Sequence, residues 1–152
     1  MKIYLATDHA GFKLKEEIKH SLLNDGHDVE DCGAFTYDES DDYPDFISVA
    51  AEAVSKDPDN AKAVILGGSG QGEAILANKF PHVRAALFYG SHGEIVTLSR
   101  EHNDANILSI GARFVTAEEV RRIVKIWLHT DFSEEERHVR RLEKIRTIEE
   151  AL

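Results

Sequence analysis

Short apolar runs alternate along the chain with stretches whose apolar residues recur at helical spacing. Ile3–Ala6 is a compact apolar run with polar flanks and predicts a buried strand. Phe12, Leu14, Ile18 and Leu22 then fall at near-helical intervals, and Gly26 stands where a helix C-cap is expected. A weaker strand is expected around Asp28–Cys32, followed by an amphipathic helix marked by Phe46, Ile47, Ala50, Ala53 and Val54. Ala63–Leu66 predicts another buried strand, Ala74–Lys79 a helix, and Arg84–Phe88 and Ile107–Ile110 two further strands. Val120, Ile123, Val124, Trp127 and Leu128 form the clearest helical stripe, opened by a capping box of Thr116 and Glu119.

Strand and helix thus alternate about five times, with connections too long for hairpins. That pattern requires parallel strands joined by right-handed helical crossovers. The expected fold is a three-layer open α/β sheet of about five parallel strands, Rossmann-like, over residues 1–132. Ligands of such sheets bind beyond the carboxyl ends of the strands. Thr7-Asp8-His9, the loop Gly67–Gly72 and Gly111–Arg113 fall there.

The tail, residues 133–152, belongs to the same domain but departs from the alternation. Ser133 and Glu136 form a second capping-box pattern ahead of Val139, Leu142, Ile145 and Ile148, which share one helix face. No strand follows. An appended helix of this kind either docks on a partner subunit, making a homo-oligomer, or folds back on its own domain.

Composition narrows the class. The 152 residues suit one domain with its own core. A formal net charge of -10 argues against nucleic-acid or anionic-membrane partners. The single cysteine, Cys32, fits a reducing compartment, no run approaches a transmembrane span, and the N-terminus carries no signal-peptide run. A cytoplasmic protein is expected.

Gly67-Gly68-Ser69-Gly70-Gln71-Gly72 is the most informative local feature. Four of its six residues are glycines, set between a buried strand and a helix, so its backbone N–H groups can converge on an anion. It matches neither a Walker loop nor a dinucleotide fingerprint, and a plain tight turn is an equally good reading of the loop alone. Glu73 follows it, either as a dipole-favoured helix start or as a base aimed at the loop's ligand, kept ionised by the neighbouring amides. Asp8-His9 ends the first strand. His102-Asn103 falls in what reads as a polar loop before the fifth strand. The eight histidines show no pairing with Cys or acidic residues that would make a metal site. Arg137 and Arg141 share a helix face and suit a phosphate, although Glu134, Glu135, Glu136 and Glu143 offer an ordinary solvated ion-pair face instead.

Several stretches together resemble the ribose-5-phosphate isomerase B family, which includes the galactose-6-phosphate isomerase subunits. They are Thr7-Asp8-His9-Ala10-Gly11, Asp42-Tyr43-Pro44, Gly67–Gly72 with Ala77-Asn78-Lys79, Arg100–Asn106, Gly111-Ala112-Arg113, and Arg137-His138 through Arg141. The resemblance implies cofactor-free aldose–ketose isomerisation of a phosphorylated sugar, ribose 5-phosphate to ribulose 5-phosphate, with active sites shared in a dimer or dimer of dimers. One branch of that family carries a catalytic cysteine where this chain has Gly67; the other has a glutamate after the loop, as Glu73 stands here. By the same resemblance Glu73 is the base, and His102 and Asp8 assist ring opening. Gly68, Ser69, Gly70, Gln71 and Gly72 line the intermediate, Tyr43 and Asn103 meet the sugar, and His9, Arg113, Arg137 and Arg141 hold the phosphate. The segment Tyr89–Gly93 is slightly longer than the family pattern and bears on the exact substrate. A tetrose or hexose phosphate, such as galactose 6-phosphate, is the alternative substrate. A non-catalytic sugar-phosphate-binding module is the alternative class.

Overall fold

Five parallel strands form one sheet in a computed structural model that describes residues 1–152. In chain order these are β1 (Lys2–Thr7), α1 (Phe12–Asn24), β2 (Asp28–Asp31), α2 (Tyr43–Lys56), β3 (Ala61–Gly67), α3 (Gln71–Ala77), β4 (Ala85–Phe88), α4 (Glu94–Asn103), β5 (Ile107–Gly111), α5 (Ala117–His129) and α6 (Glu136–Glu150). The strand order is β2-β1-β3-β5-β4. The chain therefore winds one way from β1 and the other way from β3, and a crevice opens between their carboxyl ends.

Alternation along the central strands supplies both helical layers. Ile3, Leu5, Val64, Leu66, Leu108 and Ile110 face Ile18, Val120, Ile123, Val124 and Trp127. Ala6, Ala63, Ile65 and Ile107 face the smaller side chains Ile47, Ala50, Ala51 and Val54. Central strands buried on both faces read as continuous apolar runs, as β3 and β5 do. Trp127 is the largest fully buried side chain, and truncating such a residue costs about 3–5 kcal/mol.

Most expected elements stand within a few residues of their place, and three differ. The segment before β5 is a helix, α4, so His102 and Asn103 end a helix rather than sit in a loop. Its Val96, Ser99 and Arg100 are its buried residues, and so sparse an apolar stripe is hard to read. α3 starts at Gln71, three residues before Ala74. The second capping box does not form: α6 begins at Glu136 behind Glu135, with no side-chain cap. Glu134 takes a positive φ of 54°, which breaks the turn Ser133 would have capped. At α5 the expected cap is made, Thr116 Oγ1 accepting the Glu119 N–H at 3.2 Å.

Of the two expectations for α6, the fold-back on its own domain is met. His138 is buried against α4, and Glu149 accepts the His82 N–H at 2.9 Å, so the helix does fold back on its own domain. Yet Ile145 and Ile148 remain more than half exposed. No helix is long and apolar enough to cross a membrane.

Candidate active site

The crevice between β1, β3 and β5 is a cleft of about 380 Å³. Its walls include Asp8, His9, Tyr43, Gly68, Ser69, Gly72, Glu73, Arg113 and Phe114. β1 delivers Asp8 and His9 through the short 3₁₀ turn His9–Gly11, where Asp8 Oδ1 accepts the Ala10 N–H at 3.0 Å. β3 delivers the glycine loop, and β5 delivers Arg113, whose backbone N–H donates to the Gly68 carbonyl at 3.2 Å.

The loop's shape follows from its residues. Gly70 sits at φ 75° as the N-cap of α3, a conformation that glycine adopts without penalty. Ser109 Oγ donates to the Gly70 carbonyl at 2.6 Å and pins the loop to the sheet. Gly67 serves a different purpose. A Cβ there would fall on the Glu73 carboxylate, so the missing side chain is the space that carboxylate occupies. Glycine before the loop and glutamate after it are therefore one packing arrangement.

Glu73 is 4% exposed. Burial pushes its pKa up, its own backbone N–H opposes, and the Asp8 charge adds to the upward push. The amides were expected to hold Glu73 ionised, and they act in that direction, but burial outweighs them. Cys32 is buried, its thiol pushed up to about 11 by desolvation, and it lines no part of the cleft.

Of the expected residues, Asp8, His9, Tyr43, Gly68, Ser69, Gly72, Glu73 and Arg113 meet around the cleft. Gly70 is buried and is not among the residues that line it. Gln71 is exposed at the start of α3, its N–H donating to Ser69 Oγ at 3.3 Å. Four others lie elsewhere within the single chain. His102 and Asn103 line a separate groove with Ile95, Leu98, Leu142 and Ile145. Arg137 is exposed, with Nε 2.8 Å from Glu135, the solvated pairing that composition suggested. Arg141 is also exposed and makes no ion pair.

Sequence reasoning missed two residues. His138 is buried, stacks on the His102 ring at 4.2 Å, and leaves Nε2 without a partner. Its pKa is held down by burial and by His102 and Arg137. Asp41 accepts from His9, and its place in the acidic run Asp38–Asp42 disguised it as a solvated loop residue. Asp8, His9 and Asp41 also bring potential metal-ligand atoms within 4.8 Å of one another. His9 Nδ1 is engaged by Asp41 Oδ1 at 2.7 Å.

The family model described as Ribose/Galactose Isomerase matches residues 3–145. This chain belongs to the ribose/galactose isomerase family. Ribose-5-phosphate isomerase B of Mycolicibacterium paratuberculosis is 46% identical, over 94% of this chain and 88% of that protein. The Escherichia coli K12 protein of the same name is 39% identical, over 98% of this chain and 97% of its own length. Among solved structures, ribose-5-phosphate isomerase B of Mycoplasma genitalium, with ribulose 5-phosphate bound, superposes with a TM-score of 0.95 at 36% identity. That match covers 99% of this chain and 97% of the other. The Trypanosoma cruzi type B enzyme matches with a TM-score of 0.91 at 42% identity, covering both chains fully. Membership in the ribose/galactose isomerases accords with a parallel sheet whose cleft combines a buried carboxylate with a cationic rim.

Proposed function

We propose that the chain interconverts ribose 5-phosphate and ribulose 5-phosphate by proton transfer through an enediolate. The observation that carries this reading is the Glu73 carboxylate, buried against Gly67 in a cleft that also holds His9 and Arg113. Binding a phosphorylated sugar needs cations; it does not need a desolvated carboxylate beside them. The relatives named ribose-5-phosphate isomerase B, and the neighbour holding ribulose 5-phosphate, support the five-carbon substrate.

Glu73 removes the C2 proton of the open-chain aldose as electron density moves onto O1, then returns the proton to C1 while the O2 proton passes to O1. The amides around Ser69–Gly72 stabilise the developing oxyanion, and the first-turn N–H groups of α3 have no intrahelical acceptor to compete for them. His9 and Arg113 hold the phosphate, remote from the reacting carbons, so its binding energy positions C1 and C2. Tyr43 and Asn103 contact the sugar, and Asp8 with His102 assists opening of the furanose. Arg137, Arg141, His102 and Asn103 reach the cleft from a second copy of the chain, in a homo-oligomer into which residues 133–152 dock.

The test is turnover on a panel of tetrose, pentose and hexose phosphates, with Glu73→Gln alongside. Ribose 5-phosphate is expected to be isomerised by this chain alone. Glu73→Gln should lose about 10²–10⁴-fold in kcat while still binding substrate by calorimetry. Near-normal turnover by Glu73→Gln would overturn the assignment of the base, and a preferred hexose phosphate would overturn the substrate.

A further inference from the structure

Asp41 lies between β2 and α2, and its side chain is 10% exposed. One of its oxygens, Oδ1, accepts two hydrogen bonds from a single residue: the His9 backbone N–H at 2.9 Å and the His9 ring at Nδ1, 2.7 Å away. The other, Oδ2, is buried without a hydrogen-bond partner. A carboxylate so desolvated is costly unless a cation offsets it, and His9 is its one ion-pair partner.

We propose that Asp41 is a positioning residue of the phosphate subsite, clamping His9 so that Nδ1 is occupied and Nε2 remains as the ring's donor to the substrate phosphate. The inference rests on the isomerase reading and on His9 as a phosphate ligand, and it adds the residue behind that ligand. His9 lines the cleft, so the backbone bond fixes where the residue sits and the ring bond fixes how the imidazole is turned. The ring's other neighbours are Asp8, with Oδ2 4.0 Å from Nδ1, the Tyr37 ring edge-on at 6.4 Å, and the charges of Arg113 and Asp38. The hydrogen bond to Asp41 raises the His9 pKa, with burial and Arg113 opposing and Asp8 adding to the rise. A cationic His9 beside an ionised Asp41 has no net charge, and neither has a neutral His9 beside an asparagine. What Asp41 supplies is local, a charge-assisted donor with its positive end toward the phosphate.

Asp41→Asn keeps the shape and removes the charge. Asp41 raises the His9 pKa, so just above the ordinary histidine value the wild-type ring should carry more positive charge than the variant's. The KM for ribose 5-phosphate should then rise about ten-fold near pH 7.5, with kcat changed less. At lower pH, as both rings become protonated, the two KM values should converge. The Kd of inorganic phosphate, measured by calorimetry, should follow the same pH pattern. A KM ratio flat across pH overturns the proposal. So does a lower KM, the result expected if Asp41 were only a repulsive charge near the phosphate. A second measurement needs no variant of Asp41: NMR titration of the His9 ring in the wild-type protein, assigned with His9→Gln. A midpoint above 6.5 is expected, and one at or below 6.5 overturns the proposal. Wild-type protein that turns over no sugar phosphate sinks the isomerase reading instead, and the phosphate and NMR arms still judge Asp41.

Discussion

At the scale of single residues, the site is governed by which influence wins on each titratable group. Glu73 receives an upward push from burial and from Asp8 against a smaller downward one from its own N–H, so its pKa stands above the ordinary 4.5. A base works only when ionised. The acid limb of kcat/KM should therefore be displaced upward from the ordinary glutamate value and fall away as pH drops through the Glu73 pKa. Asp8→Asn removes one of the two upward pushes and should shift that limb to lower pH, whatever it does to the maximal rate. A limb that stays put or moves upward would contradict the coupling between these two carboxyl groups.

At the scale of elements, two helices carry charges that the fold uses differently. Lys15 of α1 is fully buried, with Nζ 2.6 Å from Asp31 Oδ1 and 2.8 Å from the Ala34 carbonyl, tying the helix to the segment after β2. Burial pushes the Asp31 pKa up, but Lys15, Lys19 and the Gly33 N–H pull harder and leave it lowered. Lys15→Ala should cost roughly 3 kcal/mol in urea unfolding at pH 7, the expectation for breaking a buried pair. A carboxyl with a depressed folded pKa contributes stability above its unfolded value and loses it as pH falls through the folded one. The gap between wild type and variant should therefore narrow below about pH 4; a constant gap would remove Asp31 from the account. On α6, Arg137→Ala and Arg141→Ala should each raise KM about 10- to 150-fold, the equivalent of a charge-assisted contact of roughly 1.5–3 kcal/mol. Unchanged kinetics in both would leave them as a solvated face.

At the scale of the whole molecule, the proposed sharing of sites between subunits has direct consequences. The cleft holds Glu73, His9 and Arg113, while Arg137, Arg141, His102 and Asn103 lie outside it, and Ile95, Leu98, Ile145 and Ile148 are exposed. Sedimentation equilibrium at micromolar concentration should give at least twice 17.0 kDa. Mixing Glu73→Gln with the Arg137→Ala/Arg141→Ala variant should restore roughly a quarter of wild-type activity, because each hybrid dimer then holds one intact shared site. No recovery on subunit exchange, or a monomer in the centrifuge, would rule out shared sites.

The sequence by itself determined the layered sheet, because central strands must be apolar on both faces and surface helices on one, and both patterns are local. It also marked the Gly67–Gly72 loop and Glu73, where a glycine cluster at a strand end frees the backbone for positive φ and close approach. The helix α4 escaped it, since few of that helix's side chains are buried and a sparse stripe resembles a loop. The buried states of Lys15 and His138 escaped it too, because charge type alone says exposed and only the neighbours say otherwise. Tertiary structure alone decided that Gly67 makes room for the Glu73 carboxylate, that Asp41 closes on His9 across thirty-two positions, and that His102 and Asn103 open onto a different groove from Glu73. Such pairings have no period along the chain; they exist only once the crossovers have laid β1, β3 and β5 side by side.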